Sequence, residues 1–159
     1  MADLLGDGNV KVTVVSTLSS KSTPSAAQLN AGIDIQTVLT KDGLNIKVDQ
    51  SPVDNTALSS RTETEDAGTT KHEVNLTYKK QDSTLTDIAF NALGPGDLIW
   101  LAVRRDRAHE TAYAAGQPVE IYPGRAGSYM RAEPKLNEPQ TIEQKIFIYE
   151  SADTEAVVA

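Results

Sequence analysis

From Ser83 to Val103 the chain joins two patterns that together leave few folds open: a one-faced helical spacing that stops at Gly94-Pro95-Gly96 and, directly after it, an unbroken apolar run. Leu85, Ile88, Ala89, Ala92 and Leu93 follow an i, i+3, i+4, i+7, i+8 spacing, which places a single apolar stripe on a helix over about residues 83–93. Ser83 or Thr84 can cap its first free N–H groups, Asp87 lies early enough to favour the positive helix end, and Gly94-Pro95 stops it. Leu98 to Val103, LIWLAV, holds the sole tryptophan; it is too short for a membrane span and has the length of a strand covered on both faces. A one-sided helix beside a fully covered strand obliges the rest of the chain to supply the cover.

The flanking segments supply it as strands. Val10–Leu18 alternates, with Val10, Val12 and Val14 on one face and the mostly polar Lys11, Thr13, Val15 and Thr17 on the other. Thr23-Pro24 opens a short helical turn ending at Asn30 or Gly32, Ile33–Val38 alternates again, and Lys41-Asp42-Gly43 signals a turn. His72–Tyr78 alternates strictly, with Val74, Leu76 and Tyr78 inward. Val119, Ile121 and Tyr122 form a short strand closed by Pro123-Gly124, Ala126–Arg131 pairs beside it, and Thr141–Glu150 is the last strand, with Ile142, Ile146 and Ile148 on one face. The expected architecture is mainly β: an antiparallel β-sandwich or barrel with one flanking helix. Residues 1–9 read as a flexible N-terminal arm, 10–150 as one domain, and 151–159 as a flexible acidic tail. Gln50–Thr70, rich in Ser, Thr, Asp, Glu and Asn, shows no core face and reads as a long functional or disordered loop.

The residue inventory excludes most chemistry. The chain has no cysteine, which removes disulfides, thiolate metal sites and a cysteine nucleophile. His72 and His109 are the only histidines; His109-Glu110 lacks the i, i+3 or i+4 spacing of a helical metal pair, and neither histidine reads as a ligand. Glu63, Glu65 and Asp66, like Asp7-Gly8-Asn9, lack the spaced oxygen ligands of a calcium loop. Gly127-Ser128-Tyr129 is no nucleophile elbow, no glycine cluster precedes Lys-Ser/Thr as in a phosphate loop, and Asn75-Leu76-Thr77 matches the glycosylation pattern without an export signal beside it. No catalytic, cofactor or metal site is expected. The net charge of −7 argues against holding nucleic acid, and Arg104, Arg105 and Arg107 around Asp106 read as a solvated strand end. MADLLGDGNV has neither the basic nor the apolar region of a signal peptide, so a soluble protein not exported by that route, without membrane binding, is expected. An interaction or structural protein is what remains.

In their order, the small-residue arm, TPSAAQLNAGIDI, the long polar excursion, KHEVNLTYKK, DSTLTDIAFNALGPGDLIWLAVRR and VEIYPGRAGSYMRAEPKLNEPQTIEQKIFIY resemble the major tail proteins, or tail tube proteins, of long-tailed bacteriophages, over about residues 10–150. The resemblance implies a β-sandwich or barrel flanked by a helix. It implies hexameric rings whose inner sheets form a continuous channel, stacked into a tube around a tape-measure protein and bounded by tail terminator and tip proteins. It further implies assembly in the host cytoplasm, a place in the virion tail, and DNA that passes through the lumen without specific binding. An acidic subunit gives such a channel a negative potential that keeps DNA from sticking. The alternatives are another virion β-sandwich, a capsid decoration or tail-terminator protein, and a monomeric β-domain that binds carbohydrate or protein.

Overall fold

The computed structural model describes residues 2–159. Its elements are β1 (Lys11–Val15), α1 (Ala26–Asn30), β2 (Ile33–Asp34), β3 (Leu39–Asp54), β4 (Glu65–Lys79), α2 (Ile88–Ala92), β5 (Leu98–Arg104), β6 (Pro118–Arg131), β7 (Thr141–Ile148) and β8 (Asp153–Val157). Seven strands form one sheet in the order β2-β1-β5-β6-β7-β4-β3, with every neighbour antiparallel, and β8 adds to β6. The mainly antiparallel β architecture expected from the alternation is therefore present.

β6 is the spine. Its Glu120–Arg125 segment faces β5, its Pro118–Ile121 segment takes β8 on the other edge, and Gly124–Arg131 takes β7. Pro123-Gly124, expected to close a strand, instead lies inside one. On that edge β8 ends opposite Ile121 and β7 begins opposite Gly124, so Pro123 falls where β6 changes partners and no ladder bond is lost there.

The sheet curls around a core built from Val12 and Val14 of β1, Ile99, Leu101 and Val103 of β5, Tyr122 and Ala126 of β6, Ile142 and Ile146 of β7, and Val74, Leu76 and Tyr78 of β4. Residues 35–38 tie the two ends of the curl together: the Ile35 N–H donates to Val12 O at 2.9 Å and the Lys79 N–H to Val38 O at 2.8 Å. That role corrects the strand expected at Ile33–Val38, of which only Ile33–Asp34 is strand. A second apolar cluster lies on the opposite face of β1, β5 and the first half of β6, where Leu29 of α1, Tyr113, Ala156 and Val158 cover Val15, Ala102, Val119 and Ile121. From Ile99 to Val103 the strand is thus enclosed on both sides, while Leu98 at its start is exposed.

Four further expectations are corrected. The helix does not span 83–93 but only Ile88–Ala92. Ser83–Thr86 forms a turn in which the Thr86 N–H donates to Ser83 O and the Leu85 N–H to Ser83 Oγ, the side-chain competition that keeps Ser and Thr out of helix interiors. Leu85 is 91% exposed, while Ala89 and Leu93 carry the buried face. Gln50–Thr70 is no loop: β3 and β4 pair from Leu44–Leu76 out to Asp54–Glu65, leaving only 55–64 as the connection. Residues 151–159 are no loose tail, because β8 pairs with β6 and Ala156 and Val158 are buried. Lys41-Asp42-Gly43 does not end a strand but is a bulge within β3, between Leu39 and Leu44. A Cβ at Gly43 would sit 2.2 Å from Thr77 O, so Gly43→Val is expected to cost about 1–3 kcal/mol, measurable by chemical denaturation.

Candidate assembly surfaces

Outside the core, the sheet has two unlike outer faces. The β1-β5 half is covered by α1, residues 108–117 and the C-terminal strand; the outward residues of β3, β4, β7 and the second half of β6 stay exposed or half-exposed. Alternation from the buried Val74, Leu76, Tyr78, Ile142, Gln144 and Ile146 puts Glu73, Asn75, Thr77, Lys79, Thr141, Glu143, Lys145 and Phe147 on this uncovered face, with Asn45, Lys47 and Asp49 of β3 and Arg125 and Met130 of β6 beside them. The face is polar and close to balanced: Lys47 stands opposite Glu73 and Asp49 opposite Lys71.

That four-stranded portion also has two free edges. β3 pairs only with β4, and Ser128–Arg131 of β6, all exposed, have β7 on one side and no strand on the other. Antiparallel strands with unpaired N–H and C=O groups are templates for another chain.

Beyond its contact with β7 the β3–β4 pair projects as a ribbon whose residues 49–66 are exposed except for Thr56. Its polar composition serves the tip: the Asn55 N–H donates to Thr64 O at 3.2 Å, the Thr64 N–H to Thr56 Oγ1 at 2.9 Å, and Thr64 Oγ1 to Asn55 Oδ1 at 2.7 Å. Thr56, first through its side chain and then through its N–H, holds the Asp54 carboxylate below its usual pKa. From Asp49 to Lys71 the ribbon carries five acids, Asp49, Asp54, Glu63, Glu65 and Asp66, against Arg61 and Lys71. Glu63, Glu65 and Asp66 thus lie at or beside the tip, and among the described residues no group of His, Asp and Glu gathers as metal ligands would.

The basic triplet at the end of β5 is solvated only in part: Arg105 is exposed as expected, but Arg104 is not. Arg104 is fully buried, with Nη1 donating to Ala112 O at 3.2 Å and Gln117 Oε1 at 3.0 Å, and Nη2 to Ala108 O at 2.9 Å and Thr111 O at 2.7 Å. Burial pulls its pKa down, partly opposed by Tyr113, whose ring lies 5.0 Å from the guanidinium. Lys11 stacks on the same ring at 4.9 Å and pairs with Asp34, while Thr13 Oγ1 donates to Asp34 Oδ1 at 2.7 Å. This network explains how β1 buries its mostly polar face. The loop it folds holds the arm, since the His109 N–H donates to Gly8 O at 2.9 Å. Arg105 pairs with Glu120 and Arg107 with Asp106, whose carboxyl is held below the ordinary range by that contact. His109 lies against Glu110, and His72 packs edge-on to Tyr122 at 6.0 Å. The only visible signal for Arg104 was its place as the last residue of an apolar strand.

Burial raises Tyr78 and Tyr113 each to about 12. A raised phenol pKa favours the fold while the unfolded phenol is still neutral, so the contribution is complete below about pH 10 and is lost between about 10 and 12, at about 1.4 kcal/mol per pH unit for each group. Denaturation across that window is expected to show falling stability, with a shallower fall in Tyr113→Phe.

A phage tail tube protein family model matches residues 1–159. The chain belongs to the phage tail tube protein family. As a member it is a structural component of a virion tail. Two solved structures share the fold of this tail tube protein. One is from the virion of a native gene transfer agent particle, 12% identical, TM-score 0.51, covering 93% of this chain and 95% of that one. The other is from the baseplate of the anti-feeding prophage, six-fold symmetrised, 9% identical, TM-score 0.55, covering 96% of each. No curated protein sequence matches.

Proposed function

We propose that this tail tube protein polymerises head to tail through the two free edges of the β3-β4-β7-β6 sheet, closing into rings of six that stack into the tube. The observation that carries the reading is that one uncovered sheet has an open edge at each end. Neighbours in that sheet alternate in direction, and four strands is an even number. The β6 of one subunit therefore runs opposite to the β3 of the next, and an antiparallel ladder continues across the junction. Such a contact is heterologous and makes a ring when its rotation closes. Six subunits accord with the six-fold symmetrised assembly that holds one structural neighbour.

In this arrangement the uncovered polar face lines the channel, around a tape-measure protein during assembly in the host cytoplasm and around DNA afterwards, with terminator and tip proteins at the ends. Five bases (Lys47, Lys71, Lys79, Arg125, Lys145) stand against three acids (Asp49, Glu73, Glu143) on or beside it. The channel face is thus slightly basic rather than negative, with only Lys47–Glu73 and Asp49–Lys71 standing as opposed pairs, so charge repulsion is not what keeps phosphate from sticking. The role is structural, without catalysis. Electron microscopy of the purified chain is expected to show rings or open-ended tubes of uniform width. A monomer at every concentration and salt would overturn the proposal, and binding only to preformed heads would favour a decoration protein.

A further inference from the structure

β3 presents its outer edge along sixteen residues, but two irregularities cut that edge into unequal pieces. The β3–β4 register shifts between Leu39 and Leu44 and again between Gln50 and Pro52; between the shifts, Leu44–Gln50 pairs one for one with Leu76–Thr70. At the second shift the strands crowd together: a Cβ on Gly68 would lie 2.3 Å from Ser51 O, and Gln50 Nε2 donates to Gly68 O at 3.1 Å. Pro52 follows, opposite Ala67. A proline on an edge strand takes the position whose missing N–H faces away from the ladder, so the outer edge has no donor there and a ring where a neighbouring backbone would approach.

The stop matters because the segment that would pair with this edge is short. Ser128–Arg131 of a second copy could slide along an uninterrupted β3 in two-residue steps without turning its side chains to the wrong face. Electrostatics would draw it outward, since Arg131 lies on that β6 segment and Asp54, Glu65 and Asp66 lie on the distal ribbon. Val53, half exposed, would offer a β-branched surface to such a slipped strand.

Resting on the edge-to-edge reading above, we infer that Ser51-Pro52 is a register stop that confines a second copy's β6 to the Leu44–Gln50 window of β3. The cysteine-free chain allows a direct test. Met130→Cys is combined in turn with Asn45→Cys, Lys47→Cys, Asp49→Cys or Val53→Cys, and the assembled protein is oxidised and run on non-reducing gels. Within one subunit β6 and β3 are three strand spacings apart, roughly 14 Å, beyond disulfide reach, so any bridge joins two subunits. Linked ladders are expected with one or more of positions 45, 47 and 49 and none with 53; adding Pro52→Thr to the Val53→Cys pair is expected to make a ladder appear. Pro52 is exposed, so folding is not at stake. A ladder at position 53 with Pro52 intact, or an unchanged pattern in Pro52→Thr, would overturn the stop while leaving edge pairing in place. No ladder at any position would remove edge pairing itself, and the stop with it.

Discussion

Arg104→Met is expected to lower unfolding stability by about 3–5 kcal/mol, because several buried acceptors lose their donors at once. The methionine keeps much of the volume but donates nothing. The carbonyls of Ala108, Thr111 and Ala112 and the Gln117 amide lose the fork that satisfies them, and each buried orphan costs about 1–3 kcal/mol, less where water can enter. No carboxylate is among those acceptors, so Arg104→Lys recovers only part, because an ammonium cannot span four acceptors arranged for a planar guanidinium. The damage should spread along the loop: residues 105–117 become protease-sensitive first, and with the His109–Gly8 bond gone the arm follows. Urea denaturation and limited proteolysis check both parts. A midpoint within error of the parent would mean that the cage is incidental.

Replacing residues 50–70 by Asn-Gly, so that Asp49 turns directly into its partner Lys71, is expected to leave monomer stability within about 0.5 kcal/mol, as for surface changes, while abolishing tubes. The removed segment contributes nothing to either apolar cluster. An isolated two-stranded ribbon is marginal in water, and one that projects with Val53 and Leu58 exposed would gain partners from another subunit in the proposed tube. Single rings without tubes in electron micrographs would place the ribbon at the stacking contact; full-length tubes from the shortened chain would remove it from assembly.

The parts of the fold that were legible in the sequence are those where one subunit's own core imposes a pattern. Val74, Leu76 and Tyr78 alternate because one face of β4 meets the core, and LIWLAV is continuous because both faces of β5 do. The ribbon was illegible for the converse reason. Neither of its faces packs within the subunit, so no apolar period arises, and threonine-rich strands look like a polar loop. Leu85 fits the helical phase but not the helix, since Ser83 and Thr86 spend their hydroxyls on a local turn. Arg104 and β8 fail differently: a charge at a strand end and an acidic DTEAV segment look solvated until residues distant in sequence close over them. The candidate assembly edges leave no local trace, because being unpaired is a property of the whole sheet order.

β6 carries a mechanical consequence. One strand, with a bulge between Ala126 and Tyr129, runs from the doubly covered half of the sheet into the uncovered half, with no linker between them. In the proposed tube, channel wall and outer buttress would share this one strand. In that arrangement curvature of the tail would be absorbed at the seams between subunits and rings, and the bore would keep its diameter when the tail bends.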